Sequence, residues 1–77
     1  MIMRVRAMPT GTVKWYEAGR GVGVITQDGT ETNAMAFRSA IQGHRERGLL
    51  QGERVLFNIT QDAAGIRADN IYRLGQL

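Results

Sequence analysis

With 77 residues and no cysteine, the chain has room for one domain with a small core, and disulfides and zinc–thiolate sites are excluded as sources of stability. The formal net charge is +3 with a pI near 10.2, and nine of the ten basic residues are Arg, a balance that favours an anionic partner such as nucleic acid. No apolar run approaches the roughly 18 residues that span a membrane and no signal peptide is evident, so we expect a cytoplasmic protein.

The first nine residues are expected to form an N-terminal arm, and residues 10–77 the folded domain. Pro9 lacks a backbone N–H and therefore interrupts any β-ladder at that point. The arm is interpreted as a frayed tail, with a basic arm that contacts phosphates through Arg4 and Arg6 as the alternative.

A β-hairpin is predicted over residues 11–25. Residues 12–16 are rich in β-branched and aromatic side chains, and residues 21–25 alternate Gly with Val, which is the period of a strand. The connection, residues 17–20, is short and contains a glycine.

A third strand is predicted at residues 32–37, after a turn at Asp28-Gly29. Small and large side chains alternate along it, so we expect Ala34 and Ala36 to point into a barrel. A single helical turn follows at residues 39–43, and residues 43–52 are predicted to be a mobile loop. Ser39 is the expected cap of that turn and Gly43 its stop.

Two more strands complete the prediction. Residues 54–60 alternate, with three side chains on the buried face, Val55, Phe57 and Ile59. After a turn at residues 61–65, residues 66–74 form the last strand, whose inward side chains are Ile66, Ala68 and, after a bulge, Ile71. Five short strands with Gly-bearing turns predict an all-β, antiparallel barrel, whose closure leaves no long edge exposed.

Several stretches of the chain resemble the bacterial cold-shock domain family. They are Gly11-Thr12-Val13-Lys14-Trp15-Tyr16, Arg20-Gly21-Val22-Gly23-Val24-Ile25, Ser39-Ala40-Ile41, Gln51-Gly52-Glu53-Arg54-Val55-Leu56-Phe57 and Ala68-Asp69-Asn70-Ile71. The resemblance runs from about Thr10 to Leu74. It implies a five-stranded OB-fold barrel that binds single-stranded RNA or DNA by stacking bases on aromatic side chains over a basic groove.

The chain departs from the family pattern where that pattern places its aromatic platform. Val22 and Val24 stand where two Phe are typical, and Met35 stands where a third is typical. Phe37 occupies the usual His position, and Arg38 a position that is often aromatic. Two acidic residues also depart from the pattern, Glu17 in place of Asn and Glu46 roughly where another Phe is common.

A reduced binding site is therefore expected. It comprises Lys14, Trp15, Arg20, Phe37 and Arg38, over an apolar floor of Val22, Val24 and Met35. Basic side chains would draw in the phosphate backbone while Trp15 and Phe37 stack one or two bases with little sequence selectivity. Because stacking is worth about 1–3 kcal/mol per base, the loss of several rings predicts weak affinity. The resemblance implies RNA chaperoning or transcriptional regulation.

The same face supports a second hypothesis from another class of function. Val22, Val24, Met35 and Phe37 could dock a protein partner or a second copy of the chain, because aliphatic side chains suit an interface core. A monomer or a weak dimer is expected.

Other chemistries have little support in the sequence. The Gly-x-Gly of residues 21–23 is followed by no helix, which argues against a dinucleotide site. His44 is the only His of a chain without Cys, so neither a metal site nor a cofactor is predicted. No nucleophile with a partner base is apparent, and we do not expect an enzyme.

Overall fold

The structure is a computed structural model that describes residues 8–76. The predicted arm lies outside the described residues except for Met8 and Pro9, so the proposed phosphate contacts of Arg4 and Arg6 lie outside them as well. No helix in the described part of the chain is long and apolar enough to cross a membrane.

Five strands form the fold: β1 (Thr10–Glu17), β2 (Val22–Gln27), β3 (Asn33–Phe37), β4 (Arg54–Asp62) and β5 (Gly65–Arg73). They close into a barrel in the order β1-β2-β3-β5-β4, which confirms the predicted all-β OB-type barrel. One detail of the prediction needs correction, because the barrel is not antiparallel throughout. β3 and β5 pair in parallel, through Met35 with Arg67 and Ala36 with Ala68, since the long connection after β3 crosses one end of the barrel before β4 begins.

Inward-facing side chains of all five strands and of the β3–β4 connection meet in one core. Its members are Val13, Ile25, Ala34, Ala36, Ile41, Leu49, Val55, Phe57, Ala68 and Ile71. The predicted inward orientation of Ala34 and Ala36 is confirmed, since both are buried on β3. Phe57 is fully buried and is the largest of these side chains, so small residues opposite it let the narrow barrel close around one ring.

Two bulges set the direction of side chains in the barrel. In β1, Val13 pairs with Ile25 and Trp15 with Val24, so Lys14 is an extra residue on the β1 side. In β5, the pairing changes between Leu56 and Asn58 of β4, and Asn70 has a positive φ of 50°. This second bulge is the predicted one, and Ile71 beyond it is buried as expected.

Ile59 is not buried as predicted, because 37% of its surface is exposed. β4 pairs with β1 only as far as Leu56, and beyond that point its sole neighbouring strand is β5. The period-two pattern correctly indicates the side of the strand on which Ile59 lies, but no third strand covers that side.

The turn after β3 is a 3-10 turn, Arg38–Ala40, which begins one residue earlier than expected. Ser39 lies inside it and is not its cap, and the turn has no side-chain cap. The turn ends before Gly43 because Ile41 is fully buried and bridges Ile71 of β5, which returns the backbone to an extended conformation.

Residues 43–52, predicted to be a mobile loop, make several contacts with the barrel, and their mobility stays a prediction. Arg73 is buried and donates to the carbonyl oxygens of Gly43, His44 and Gly48 at 2.8–2.9 Å. Leu49 is buried in the core, and Gly48, with φ of 71°, packs so closely on the Tyr16 ring that a Cβ there would overlap it. Within the loop, residues Arg45–Arg47 form a second 3-10 turn.

Candidate functional site

The outer surface of β1, β2 and β3 carries two rows of side chains that run across the strands. The pairing places Trp15, Val24 and Met35 in one row and Glu17, Val22 and Phe37 in the next. Residues two apart in a strand share a face, so the two rows lie side by side. We call the five apolar members the apolar face: Trp15, Val22, Val24, Met35 and Phe37.

The large side chains of the apolar face are unusually accessible. Trp15 exposes 42% of its surface, Phe37 41% and Met35 38%, while Val22 and Val24 are half-buried between them. Folded chains usually bury rings of this size, so their exposure on one face indicates a surface adapted to contact another molecule. The expected exposure of Trp15 and Phe37 is confirmed, and their role in binding stays a prediction.

The β1 bulge is what turns Trp15 outward. Val13 faces the core, and strict alternation would return Trp15 to the core as well. The extra residue at Lys14 reverses the alternation, so that Lys14 and Trp15 are both exposed and Tyr16 packs against the core. Gly23 makes this possible because a Cβ there would overlap the Trp15 carbonyl oxygen and crowd Tyr16.

Two of the three predicted cationic residues point into solvent. Lys14 is exposed and has no ion pair within the described chain. Arg20 is exposed at the β1–β2 turn, where its Nη1 lies 3.4 Å from Oε1 of Glu17. Both charges therefore flank the apolar face, Lys14 beside Trp15 and Arg20 at the end that carries Phe37.

Arg38, the third predicted cation, is used differently. It is half-buried, and its guanidinium donates to the Ala18 carbonyl oxygen and lies against Gly21. Its backbone N–H donates to the Gly21 carbonyl oxygen at 2.9 Å. Arg38 thus fastens the β1–β2 turn to the end of β3 through one of its terminal nitrogens, and its predicted contact with a base or a phosphate stays a prediction.

A groove beside Phe37 extends the apolar face and was not expected from the sequence. It has a volume of about 140 Å³ and is bordered by Met35 and Phe37 of β3 and by Ile66 and Arg67 of β5. Arg67 is held within it by carboxylates, 3.3 Å from Asp62 and 3.5 Å from Asp69. No local signal identifies these residues, because only the parallel pairing of β3 with β5 brings them to Phe37.

The arrangement of the apolar face suits stacking. Among residues 8–76 no three His, Asp or Glu side chains are grouped so that they could hold a metal ion. Two exposed rings on an apolar floor can stack against flat rings of a ligand. The cation at each end of the face can attract negatively charged groups attached to those rings. Nucleobases on a phosphate backbone have both properties.

Comparison with known proteins identifies the same kind of domain. The model of the 'Cold-shock' DNA-binding domain family matches residues 9–74. The Cold shock-like protein CspA of Stigmatella aurantiaca is 41% identical over 64 residues, which cover 83% of this chain and 94% of that protein. The Cold shock protein ScoF of Streptomyces coelicolor is 42% identical over 64 residues, with 83% and 96% covered. The Cold shock-like protein of Aquifex aeolicus is 35% identical over 66 residues, with 86% and 94% covered.

Proposed function

Because the chain belongs to the cold-shock domain family, we propose that it binds single-stranded RNA or DNA on the apolar face. The observation that carries this proposal is the exposure of Trp15 and Phe37 on one face, beside the exposed side chain of Lys14. Bases stack on the two rings, the charges of Lys14 and Arg20 attract the polyanion, and Lys14 contacts the phosphate backbone and releases its counterions.

The affinity is expected to be low. Val22, Val24 and Met35 provide apolar contact but no ring, and each stacked base contributes about 1–3 kcal/mol where a ring is present. Stacking also carries little sequence selectivity, because every base has a π-face. Weak, tolerant binding to unpaired strands opposes base pairing, so we propose a cellular role as an RNA chaperone or transcription regulator.

Fluorescence of Trp15, the chain's only Trp, tests the proposal directly. Titration with a thymidine heptamer and with a uridine heptamer should quench the fluorescence until it saturates at low salt. At physiological salt the affinity obtained from the titration should be lower. Phe37→Ala should weaken binding about 5- to 150-fold, the equivalent of the roughly 1–3 kcal/mol of one stacked base. Tyr72→Ala is the matched control, because Tyr72 is 37% exposed but pairs with Leu56, away from the apolar face. An unchanged signal at low salt, from protein shown to be folded, would contradict the proposal.

A second candidate is docking of a protein or of another copy of this chain on the same face. The observation in its favour is that Met35 and Phe37 are both exposed next to half-buried Val22 and Val24. Salt separates the two candidates, since apolar association is unchanged or strengthened as salt rises whereas nucleic-acid binding weakens. Sedimentation velocity at low and high salt measures the self-association directly.

A further inference from the structure

The apolar face ends in an ion pair that stacking alone does not require. Glu17 lies in the same cross-strand row as Val22 and Phe37, and its carboxylate pairs with Arg20. Adjacent strands are about 4.8 Å apart, so the backbones of Glu17 and Phe37 are separated by about 10 Å across Val22. The register therefore places the ion pair on the same face as the Phe37 ring, two strands away.

The backbone of the turn that carries the pair is hydrogen-bonded both within the turn and to the end of β3. The backbone N–H groups of Arg20 and Gly21 both donate to the Glu17 carbonyl oxygen, at 3.2 and 2.8 Å. Arg38 then anchors the turn to the end of β3, through its guanidinium on Ala18 and its backbone N–H on Gly21. Since Phe37 immediately precedes Arg38, the backbone segments that carry the ring and the ion pair are joined by one connected set of hydrogen bonds.

The pair presents a donor and an acceptor side by side. The Arg20 guanidinium donates only, and the Glu17 carboxylate accepts only, with Oε2 free of hydrogen bonds to the described residues. Guanine carries the complementary order along its Watson–Crick edge, an acceptor at O6 followed by donors at N1–H and N2–H₂. Both resulting contacts are charge-assisted.

The other bases fit this pair less well. Thymine and uracil offer one donor between two acceptors, so the second carbonyl oxygen faces the carboxylate. Cytosine and adenine each place a ring-nitrogen acceptor beside their amino group, so neither can give the carboxylate two donors. Guanine is therefore the base whose hydrogen-bonding edge matches the pair throughout.

We propose that the Glu17–Arg20 ion pair selects guanine at the position stacked on Phe37. This inference rests on the proposed single-strand binding and assigns selectivity to one position of an otherwise tolerant site. Glu17 acts through the base edge, and Arg38 is a positioning residue.

The test compares a thymidine heptamer with the same heptamer that carries one central guanine, and with one that carries hypoxanthine there. Hypoxanthine keeps O6 and N1–H but lacks the N2 amino group. Binding is followed by Trp15 fluorescence at low salt. The guanine oligomer should bind at least about fivefold tighter than the thymidine oligomer, and hypoxanthine should lose most of that gain.

Glu17→Gln should remove the guanine preference, because an amide offers one acceptor and no charge. Glu31→Gln is the matched control, since it removes the same charge from an exposed residue in the β2–β3 connection, at the opposite end of β2, and should keep the preference. The readout is the ratio of the two affinities in each variant, which a general change in charge does not alter.

Each outcome decides between the two proposals. Equal affinity for the guanine and thymidine oligomers would overturn the inference and leave single-strand binding intact. A guanine preference that persists in Glu17→Gln, or that hypoxanthine retains in full, would assign the selectivity to stacking and also overturn it. Binding of none of the three oligomers would overturn both proposals.

Discussion

Asp28 joins three segments of the chain at one side chain. Its carboxylate accepts from the Thr10 hydroxyl at 2.7 Å and from both terminal nitrogens of Arg54 at 2.6 and 2.9 Å. Its backbone N–H donates to the Thr10 carbonyl oxygen. The Asp28-Gly29 pair, read from the sequence as a turn, therefore also connects the β2–β3 turn to the starts of β1 and β4.

These hydrogen bonds, first that from Arg54 and then that from Thr10, lower the pKa of Asp28 from 3.8 to about 2. Since the pKa is depressed in the folded state, the stabilisation is complete above about pH 4 and is lost as the pH falls through about 2. We expect Asp28→Asn to lower stability at neutral pH and to flatten the decline between pH 4 and 2, as measured by urea unfolding at several pH values.

Glu31→Gln serves as the control for this loss of stability at acid pH, because Glu31 is exposed and makes no ion pair with the described residues. It should reproduce the pH dependence of the unmodified chain. If Asp28→Asn left the decline in stability between about pH 4 and 2 unchanged, the contacts of Asp28 with Thr10 and Arg54 would not contribute to acid unfolding.

At the scale of elements, the connection between β3 and β4 depends on Arg73 at the end of β5. The side chain is only 3% exposed, and its guanidinium donates to three carbonyl oxygens of the connection. The planar fork of Arg can reach all three, and the ammonium of Lys cannot reproduce that geometry.

Arg73→Lys should therefore destabilise the domain by about 2–3 kcal/mol, because buried carbonyl groups lose charged donors. Hydrogen exchange at the amides of Arg47 and Gly48, which close the 3-10 turn, should accelerate more than exchange in the strands. Arg20→Lys, the same change at an exposed position, should alter stability by no more than about 0.5 kcal/mol. If the two variants were equally stable, Arg73 would not be what holds this connection.

For the whole molecule, the net charge of +3 is small, so binding to a polyanion depends on where the cations lie. The Arg side chains near the apolar face are engaged by carboxylates, Arg20 by Glu17 and Arg67 by Asp62 and Asp69. Arg47 and Arg54 lie away from that face, on Glu53 and Asp28. Lys14 is exposed beside Trp15 without such a partner among residues 8–76.

Lys14→Gln should consequently reduce the slope of log affinity against log salt concentration by about 0.7, the contribution of one phosphate contact on a single strand. Arg45→Gln, which removes the same charge from the second 3-10 turn, should leave the slope unchanged. Fluorescence titrations at four salt concentrations measure both slopes. A parallel loss of slope in the two variants would mean that Lys14 acts through net charge and not through a contact.

The sequence by itself determined the elements of this protein and its family. Strand alternation and turn chemistry are local properties, so β1 to β5, the inward Ala34 and Ala36 and the bulge before Ile71 follow from short stretches of chain. The family can likewise be recognised from the sequence alone, because it is marked by short motifs such as Lys14-Trp15-Tyr16.

Only the tertiary structure decided how these elements are completed, because that depends on which distant strand lies beside each residue. The parallel pairing of β3 with β5 creates the groove beside Phe37. The pairing of β1 with β4 ends at Leu56, which leaves Ile59 uncovered. Likewise Arg38 and Arg73 look like surface cations in the sequence, yet each has its guanidinium bonded to carbonyl oxygens of residues at least 20 positions away. Side-chain alternation and charge are properties of short segments of the sequence. Which side chains become buried by a neighbouring strand, and which groups they hydrogen-bond, is decided only when the barrel closes.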